Sequence, residues 1–402
     1  MLQINEKKEC CGCSACQQIC PKACITMNED AEGFYYPIVD ENNCVNCNLC
    51  EKVCPIKQQE KRNQNLWAYA AYSKETKIRL QSSSGGMFSL IAEYVLKNKG
   101  IVFGVVFNNE QTVNHVSIER LEDLDKLRGS KYIQSQIKET YKEAKAYLEK
   151  GKLVLFTGTA CQIAGLKGFL RKEYENLVTI DVLCHGVPSK RVWKKYIENQ
   201  ENLNNGHLKN VFFRNKDNGW KQYEVYADFD NGKEYRKMHG QDIFMRLFLS
   251  EICLRPSCHD CRFKSLDRSS DFTLGDSWGI ENYMPEMDDD KGTSVVLLHS
   301  EKAKEIFEKL KDKMIFKEAE VDKILPPTAD SRKSVIAHPK RKQFFELLEQ
   351  GVGIEKLVKL IEPSVGQKIK NKVRNGLRKC KRLVTEIFKV PEIFNKLRSC
   401  RH

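Results

Sequence analysis

The sequence lacks long hydrophobic runs. No stretch of about 18 consecutive apolar residues occurs, whereas a helix that crosses a bilayer needs about 20. The opening residues, MLQINEKKEC, also lack the apolar core of a secretory signal peptide. Together these absences predict a cytoplasmic protein without a membrane-spanning segment.

Excess positive charge is almost absent outside residues 363–402. The chain has a formal net charge of +13, and this segment holds 12 Lys or Arg residues against Glu386 and Glu392. No aromatic platform or groove-binding motif accompanies these charges, so the sequence predicts no nucleic-acid partner. Apolar residues recur every three or four positions between Val365 and Phe388, which predicts a basic amphipathic helix. Two interpretations stay open: the helix lies on the inner membrane surface, or it packs on protein.

Cysteine, in contrast, is abundant. The chain has 17 cysteines, and ten of them lie between Cys10 and Cys54. Disulfides are disfavoured in a reducing compartment, and a chain of 402 residues does not need them as staples. The crowding therefore predicts metal ligation.

The pattern C-x2-C-x2-C-x3-C-P occurs twice, from Cys10 to Pro21 and from Cys44 to Pro55. In two-cluster ferredoxins the three closely spaced cysteines bind one [4Fe–4S] cube, and the fourth binds the other cube. The predicted ligands of the first cube are Cys10, Cys13, Cys16 and Cys54. Those of the second are Cys20, Cys44, Cys47 and Cys50. A pair of zinc knuckles is the alternative, but zinc does not require the doubled triplet with its Cys-Pro. Cys11 and Cys24 are predicted to be free thiols near the clusters.

After a polar linker, the chain alternates between strand and helix patterns. β-branched runs predict buried strands at residues 101–107, 153–156, 178–183 and 295–299. Helical patterns cover residues 89–97, 163–172, 190–200 and 302–313, and residues 211–214 and 223–229 predict an antiparallel pair. The predicted fold class combines α+β and α/β: a small two-cluster ferredoxin-like module (1–58), a mixed α/β region (66–150 and 151–345), and a C-terminal basic helix (363–402).

A third cluster is predicted in the α/β region. Cys161 and Cys184 each follow a predicted buried strand, and the carboxyl ends of parallel strands share one edge of a sheet. Cys258 and Cys261 form a C-x2-C pair that would complete a set of four thiolates. Cys253 stays open as an alternative to Cys161.

A serine- and glycine-rich turn precedes the predicted helix at residues 89–97. Its sequence, QSSSGGMF (81–88), places hydroxyls and backbone N–H groups at a helix N-terminus, where anions bind. Serines that only cap the helix are the alternative interpretation.

Seven motifs together resemble one known family. They are SSSGGMF (82–88), GSKYIQS (129–135), GTACQIAGL (158–166), CHGVPS (184–189), CHDCRFK (258–264), SDFTLGDSWGI (270–280) and KGTSVVLL (291–298). In this order they resemble the beta subunit of coenzyme F-420 hydrogenases and dehydrogenases, in its stand-alone bacterial form with an N-terminal ferredoxin module. The resemblance covers roughly residues 1–345.

The resemblance implies a flavin-binding α/β domain that uses FAD. By this resemblance the flavin phosphates lie on the turn of Ser82, Ser83, Ser84, Gly85 and Gly86. The flavin would be lined by Lys131, Tyr132, Gly158, Thr159 and Gln162. Ala160 stands where proline is usual. His185 and Asp276 are the predicted catalytic residues, with Trp278 a weaker candidate, and a purely structural role is the alternative for each.

The predicted function is that of an iron–sulfur flavoprotein oxidoreductase. Electrons from ferredoxin or another low-potential donor would pass through the clusters to FAD and an organic substrate. The resemblance implies a substrate from polysaccharide biosynthesis or a deazaflavin. An electron-transfer subunit that serves a partner enzyme, without a substrate of its own, stays open as the alternative.

Overall fold

The fold is described by a computed structural model. The structure describes residues 2–58 and 66–362. The basic helix predicted for residues 363–402, with its expected membrane contact, therefore lies outside the described residues. Nowhere in the described ranges does a helix combine the length and apolar character that crossing a bilayer requires.

The N-terminal module consists of short elements around the cysteine repeats. They are α1 (Ala15–Ile19), β1 (Ile25–Glu29), β2 (Tyr35–Val39) and α2 (Leu49–Lys52). The strands β1 and β2 form an antiparallel pair, with Ile25 opposite Val39.

Both cysteine triplets share one backbone conformation. Gly12 and Ser14 in the first triplet, and Asn46 and Asn48 in the second, have φ values between 51° and 71°. Glycine and asparagine enter this left-handed region more readily than other residues. Each triplet therefore closes into a tight loop that leads directly into a short helix, so the sequence repeat is also a structural repeat.

The central sheet has eight strands. They are β3 (Trp67–Ser73), β4 (Ile101–Phe107), β5 (Val113–Ile118), β6 (Val154–Thr159), β7 (Leu177–Val182), β11 (Phe272–Asp276), β12 (Ser294–Leu298) and β13 (Met314–Glu318). Their order is β13-β3-β12-β11-β7-β6-β4-β5. The four strands β4, β6, β7 and β11 run parallel, and antiparallel strands extend the sheet on both sides. The predicted mixed α/β fold is confirmed.

A smaller antiparallel sheet contains the predicted pair and one further strand. Its strands are β8 (Leu208–Asn215), β9 (Glu224–Phe229) and β10 (Glu234–Met238), in the order β10-β9-β8. The register between β8 and β9 shifts between Phe212 and Asn215, where a bulge interrupts the alternation of side chains.

Helices connect these strands. The remaining α-helices are α3 (Thr76–Gln81), α4 (Met87–Lys97), α5 (Thr140–Glu149), α6 (Ala160–Leu170), α7 (Lys190–Asn204), α8 (Ile243–Leu249), α9 (Glu301–Leu310), α10 (Val321–Ile324), α11 (Arg341–Glu349) and α12 (Ile354–Leu357). The 3-10 helices are Lys7–Glu9, Leu121–Leu127, Pro256–Asp260, Ile280–Asn282, Pro285–Met287, Lys311–Lys313 and Val358–Ile361.

The helix α6 begins three residues before its predicted start at residue 163. Thr159 and Gln162 form a reciprocal capping box, in which the Thr159 N–H donates to Gln162 Oε1 at 3.0 Å. This cap satisfies N–H groups that a helix end otherwise leaves without partners. Helix α6 therefore starts directly at the end of β6, which places Cys161 in its first turn.

The sheet is covered on both faces, as the β-branched runs indicate. All five residues of β12 are buried. Val296 and Leu298 pack into one apolar layer, and Val295 and Leu297 into another. Strands buried on both faces read as continuous apolar runs, which explains why residues 295–298 gave a clear strand signal.

Two compact units divide the chain: one extends to Leu357, and the second begins at Val358. The first unit contains both the N-terminal module and the central sheet. Of the second unit, the structure describes residues 358–362.

Candidate functional site

The structure brings the four predicted ligands of the first cube together. We call Cys10, Cys13, Cys16 and Cys54 the first thiol group. Burial and the neighbouring Cys10 and Cys54 raise the pKa of Cys16. A hydrogen bond with Cys11 lowers the pKa of Cys13, but burial, Cys16 and Cys54 outweigh it and raise that pKa. The fourth cysteine of the second repeat thus lies with the triplet of the first, which is the crossing that the ligand assignment requires.

The second thiol group consists of Cys20, Cys44, Cys47 and Cys50. Cys20, Cys44 and Cys50 pack in one apolar cluster, and Cys47 is exposed to solvent. Cys24 lies with them, because its Sγ is 3.4 Å from that of Cys20. The neighbouring Cys20 is the main cause that raises the pKa of Cys24 to about 11, with burial and Cys44 contributing further.

A third thiol group forms where two parallel strands end. It consists of Cys161, Cys184, Cys258 and Cys261. Burial together with Cys258, Cys161 and Cys261 raises the pKa of Cys184. Burial, Cys261 and Cys161 raise the pKa of Cys258 to about 12. Cys253 is fully buried, and the charged groups that most affect its thiol are Arg341 and Glu251.

The raised pKa values have one physical meaning. A thiolate in a buried group is disfavoured by lost hydration and by repulsion from the neighbouring thiolates. Iron cations would reverse both effects, because metal binding requires thiolates and releases their protons. The donor sets therefore fit iron–sulfur clusters, whereas the assignment of each cysteine stays a prediction.

The first and third thiol groups are close because two glycines line one face of α6. Cys161, Gly165 and Gly168 are spaced by four and three residues, which places them on one side of the helix. A Cβ on Gly165 would lie 2.9 Å from Cys13 Sγ, and one on Gly168 would lie 2.4 Å from the Val53 carbonyl oxygen. The absence of side chains lets the N-terminal module approach α6 closely. We call Gly165 and Gly168 the glycine face.

A large cavity of about 1860 Å³ lies beside the serine-rich turn. Its walls come from β4, β5, β8, the 3-10 helix Leu121–Leu127 and the turn itself. Ser82, Ser83 and Lys131 are the predicted flavin residues that line it. The walls carry seven Lys or Arg side chains against four Asp or Glu, so their net charge is positive.

Hydrogen bonds hold the serine turn in place. The Ser83 hydroxyl accepts from the Ser130 N–H at 2.7 Å, and the Ser84 hydroxyl donates to the Thr293 carbonyl at 2.8 Å. The Ser82 hydroxyl donates to the Ile78 carbonyl at 2.7 Å. The Gly85 N–H donates to Ser294 Oγ, so it is not directed at a ligand. Gly86, with φ +88°, precedes the first turn of α4.

Two buried cations that were not predicted support this turn. The Arg214 guanidinium makes a bidentate pair with Asp276, at 2.7 and 3.0 Å, and donates to the Ser83 carbonyl at 3.0 Å. The Lys216 ammonium donates to three backbone carbonyls, including that of Ser84 at 2.8 Å. The bulge in β8 buries Arg214 beside Phe213, so simple alternation could not have identified it.

The other contacts of the predicted flavin residues are as follows: some face the cavity region, and others lie at the start of α6. Burial lowers the pKa of Lys131 to about 7, and its Nζ donates to the Arg128 carbonyl at 2.7 Å. The Tyr132 hydroxyl accepts from Arg214 at 3.2 Å. Gln162 is buried and donates to Ser135 Oγ at 2.9 Å. Gly158, Thr159 and Gln162 lie at the junction of β6 and α6 and do not line the cavity.

His185, a predicted catalytic residue, lies between two carboxylates. Its Nε2 is 3.4 Å from Glu251 Oε1, and its Nδ1 is 3.5 Å from Asp330 Oδ2. The two acids thus approach opposite ring nitrogens. Asp276, the other predicted catalytic residue, has its carboxylate engaged by Arg214 and accepts from Trp220 Nε1 at 3.1 Å. Trp278 stacks on Trp220 with 4.4 Å between ring centroids.

A continuous series of side chains connects the third thiol group to the cavity. His185, next to Cys184, packs edge-on against Phe248 with 5.1 Å between centroids. Phe248 lies 5.3 Å from the Tyr132 ring. Tyr132 contacts Arg214, which lines the cavity. No motif predicted Phe248, which lies on α8 within an apolar run.

Comparisons with known proteins match three parts of the chain. Residues 9–57 match the model of the 4Fe-4S dicluster domain. Residues 68–142 match the N-terminal part, and residues 151–324 the C-terminal part, of the coenzyme F420 hydrogenase/dehydrogenase beta subunit. No curated protein matches the chain. Among solved structures, one that is similar is the xenon derivative of the F420-reducing [NiFe] hydrogenase complex from Methanosarcina barkeri. The two chains are 19% identical, and the TM-score is 0.43. The match covers 74% of this chain and 91% of that chain.

The two beta-subunit models together match more than half of the chain, in the order that the sequence motifs predicted. The cysteine repeats fall inside the matched dicluster domain, so the prediction of 4Fe–4S clusters at the N-terminus is confirmed. The chain belongs to the coenzyme F420 hydrogenase/dehydrogenase beta subunit family and carries an N-terminal 4Fe–4S dicluster domain.

Proposed function

We propose that the protein is an iron–sulfur flavoprotein oxidoreductase that passes electrons between its clusters, FAD and an organic substrate. The observation that carries the proposal is the contiguous arrangement of sites. The first thiol group adjoins the third across the glycine face. His185, Phe248, Tyr132 and Arg214 then connect the third thiol group to the cavity.

The cavity fits FAD in size and in charge. Its volume of about 1860 Å³ exceeds that of a usual small-molecule pocket, so a dinucleotide and a substrate fit together. Arg214 and Lys216 place two buried basic side chains behind the serine turn, where a pyrophosphate would lie. Burial lowers the pKa of Lys216 to about 7, and a nearby phosphate would favour its charged form. Bound FAD would supply the conversion between single-electron and two-electron transfer. The chain's own groups that would orient it are the Ser83 hydroxyl and Lys131, both on the cavity wall.

For the organic substrate we retain the two classes that the resemblance implies, an intermediate of polysaccharide biosynthesis and a deazaflavin. The positive net charge of the cavity wall favours an anionic member of either class. His185 and Asp276 remain our proposed catalytic residues. His185 would relay a proton between Glu251 and Asp330, whose carboxylates lie 3.4 and 3.5 Å from its ring nitrogens, and Asp276 would position Arg214.

The second candidate function is that of an electron-transfer subunit with a protein partner. Ile38 and Val45 are 54% and 55% exposed, and the nearby ligand candidate Cys47 is exposed as well. Apolar surface beside a cluster suits the docking of a ferredoxin or of a partner enzyme. In this second function the same surface would serve the partner, and the cavity would hold FAD without a substrate.

The test uses two variants that differ in one charge. Ser83→Asp places a carboxylate in the cavity, whereas Ser83→Asn is of equal size and neutral. We expect the Asp variant to bind FAD at least tenfold more weakly than the Asn variant, as measured by quenching of FAD fluorescence, with equal iron content. Equal FAD affinity in both variants would contradict the placement of FAD in this cavity.

Electron flow is tested in a second experiment. Stopped-flow mixing of the reconstituted protein with dithionite-reduced ferredoxin should bleach the flavin absorption. Reduction by NADH, without reduction by ferredoxin, would argue against the proposed order of transfer.

A further inference from the structure

A buried arginine connects the first and third thiol groups. Arg255 is 1% exposed and immediately precedes the 3-10 helix Pro256–Asp260. Its backbone carbonyl accepts from the Cys258 N–H at 2.9 Å. Its side chain reaches the other group, where Nε donates to the Cys10 carbonyl at 2.9 Å. One residue thus joins a predicted ligand of the first cube to a predicted ligand of the third cluster.

The guanidinium is fixed from every side. It donates to the Tyr35 carbonyl at 2.8 Å and to Gln134 Oε1 at 3.3 Å. Tyr36 covers one face, with 4.4 Å between its ring centroid and the guanidinium carbon. Gly12 makes room for the group, because a Cβ at that position would lie 3.0 Å from the nearest guanidinium nitrogen. The local structure is therefore built around this cation.

No carboxylate balances the charge of Arg255. The other buried arginines, Arg79, Arg214 and Arg268, each face an aspartate within 4.0 Å. For Arg255 the described residues provide no carboxylate oxygen within that distance. Burial disfavours its charge, whereas Cys10, Tyr36, Cys11 and Cys258 favour it and raise the pKa of Arg255. A buried charge without a counter-ion is strongly destabilising, so the counter-ion has to come from the cysteine groups.

An iron–sulfur cluster with four thiolates supplies that negative charge. Charge close to a cluster is one of the factors that set its reduction potential. We propose that Arg255 is the shared counter-cation of the first cube and of the third cluster, and that its charge raises the reduction potential of both. The inference rests on the proposed function, since it requires clusters in both thiol groups.

The proposed role concerns the transfer of one electron. One electron leaves the cube of the first thiol group, which is oxidised, and enters the cluster of the third, which is reduced. No bond forms or breaks, and no proton moves in this step. Because Arg255 contacts both groups, its charge favours the reduced state of each cluster. Arg255 is therefore a positioning and tuning residue.

The experiment compares three variants of the anaerobically reconstituted full chain. Arg255→Gln removes the charge, Arg255→Lys retains it, and Arg79→Gln removes a buried arginine that has its own aspartate. Iron content and the cluster potentials are measured, the latter by redox titration monitored with electron paramagnetic resonance. We expect Arg255→Gln to disfavour reduction of two clusters at least tenfold, which corresponds to about 59 mV for a one-electron couple. Arg255→Lys and Arg79→Gln should keep the parental potentials.

The outcomes separate the proposal from the function on which it rests. Parental potentials in a fully loaded Arg255→Gln protein would overturn the role of the charge and leave the proposed function intact. If Arg255→Gln fails to assemble clusters, full assembly with parental potentials in Arg255→Lys supports the proposal. Equal loss of iron in both variants would make the arginine a packing element. A parent protein that binds no iron would overturn the function itself.

Discussion

Replacing Gly168 with alanine tests how the N-terminal module docks on α6. The new Cβ would lie 2.4 Å from the Val53 carbonyl oxygen, whereas carbon and oxygen atoms normally stay more than 3 Å apart. The obstacle is backbone and not a flexible side chain, so the module has to retreat by about 1 Å to restore ordinary contact distances. Gly165→Ala would have a similar effect through Cys13.

The expected net cost follows from two opposing effects. Overpacking a close interface costs about 1–3 kcal/mol. Alanine in a helix interior is favoured over glycine by about 1 kcal/mol, which offsets part of that cost. Gly168→Ala should therefore destabilise the protein by up to about 2 kcal/mol. At a helix glycine in open space the same substitution would stabilise the protein. A loss of stability in Gly168→Ala would therefore show that Gly168 lies in close contact with Val53.

The assay is hydrogen exchange measured by mass spectrometry, together with the apparent melting temperature. We expect faster exchange in peptides that cover α1, α2 and α6, and a lower melting temperature. Gly240→Ala, in a turn, is the control for the added methyl group, because no heavy atom lies within 4 Å of a Cβ at that position. If Gly168→Ala exchanged and melted like Gly240→Ala, the reasoning about the glycine face would be refuted.

Three further predictions concern the thiol groups and the cavity. Cys258→Ala should lower the iron content by about four atoms per chain, whereas Cys253→Ala should leave it unchanged, as measured by iron analysis. Arg214→Gln should lower the free energy of unfolding by about 2–4 kcal/mol, because it leaves Asp276 partly buried without its charged partner. If denaturant titration finds no loss of stability, the ion pair of Arg214 and Asp276 does not stabilise the fold. FAD affinity should fall as the pH rises from 6 to 8.5, because burial lowers the pKa of Lys131 to about 7 and its positive charge is lost above that value. A Lys131→Met variant should weaken this pH dependence in a fluorescence titration, and Lys216 on the same wall should account for the remainder, because burial also lowers its pKa to about 7.

The sequence predicted the dicluster domain and three of the four parallel strands, β4, β6 and β7, because these have strong local signals, whereas the parallel strand β11 was not predicted. Cysteine spacing is set within one loop, so the repeats could be recognised without the fold. Buried parallel strands read as continuous β-branched runs. The strand β3 (Trp67–Ser73), which lies between β13 and β12, was not predicted, because its sequence WAYAAYS has three alanines and no β-branched residue.

The contacts between distant segments were beyond the sequence. Arg255 lies 245 residues from its acceptor Cys10, and no pattern relates the two positions. The glycine face was visible in the sequence as a G-x-x-G spacing, but its partner Val53 belongs to a different module. Arg214 was missed because a bulge reverses the alternation that strand patterns rely on. Such contacts depend on tertiary packing, which a local pattern does not encode.

The two cysteine repeats have the same backbone but different surroundings, and this difference matters for handling the protein. Cys10, Cys13 and Cys16 are buried, whereas Cys47 is exposed and Cys44 and Cys50 are partly so. We therefore expect oxygen to reach the proposed second cube first and the inner iron later. Under the proposed function, a sample purified in air would keep its brown colour from the surviving inner clusters after it had lost the exposed cube, through which we expect electrons to enter. Colour and iron content are thus poor guides to whether such a preparation is active.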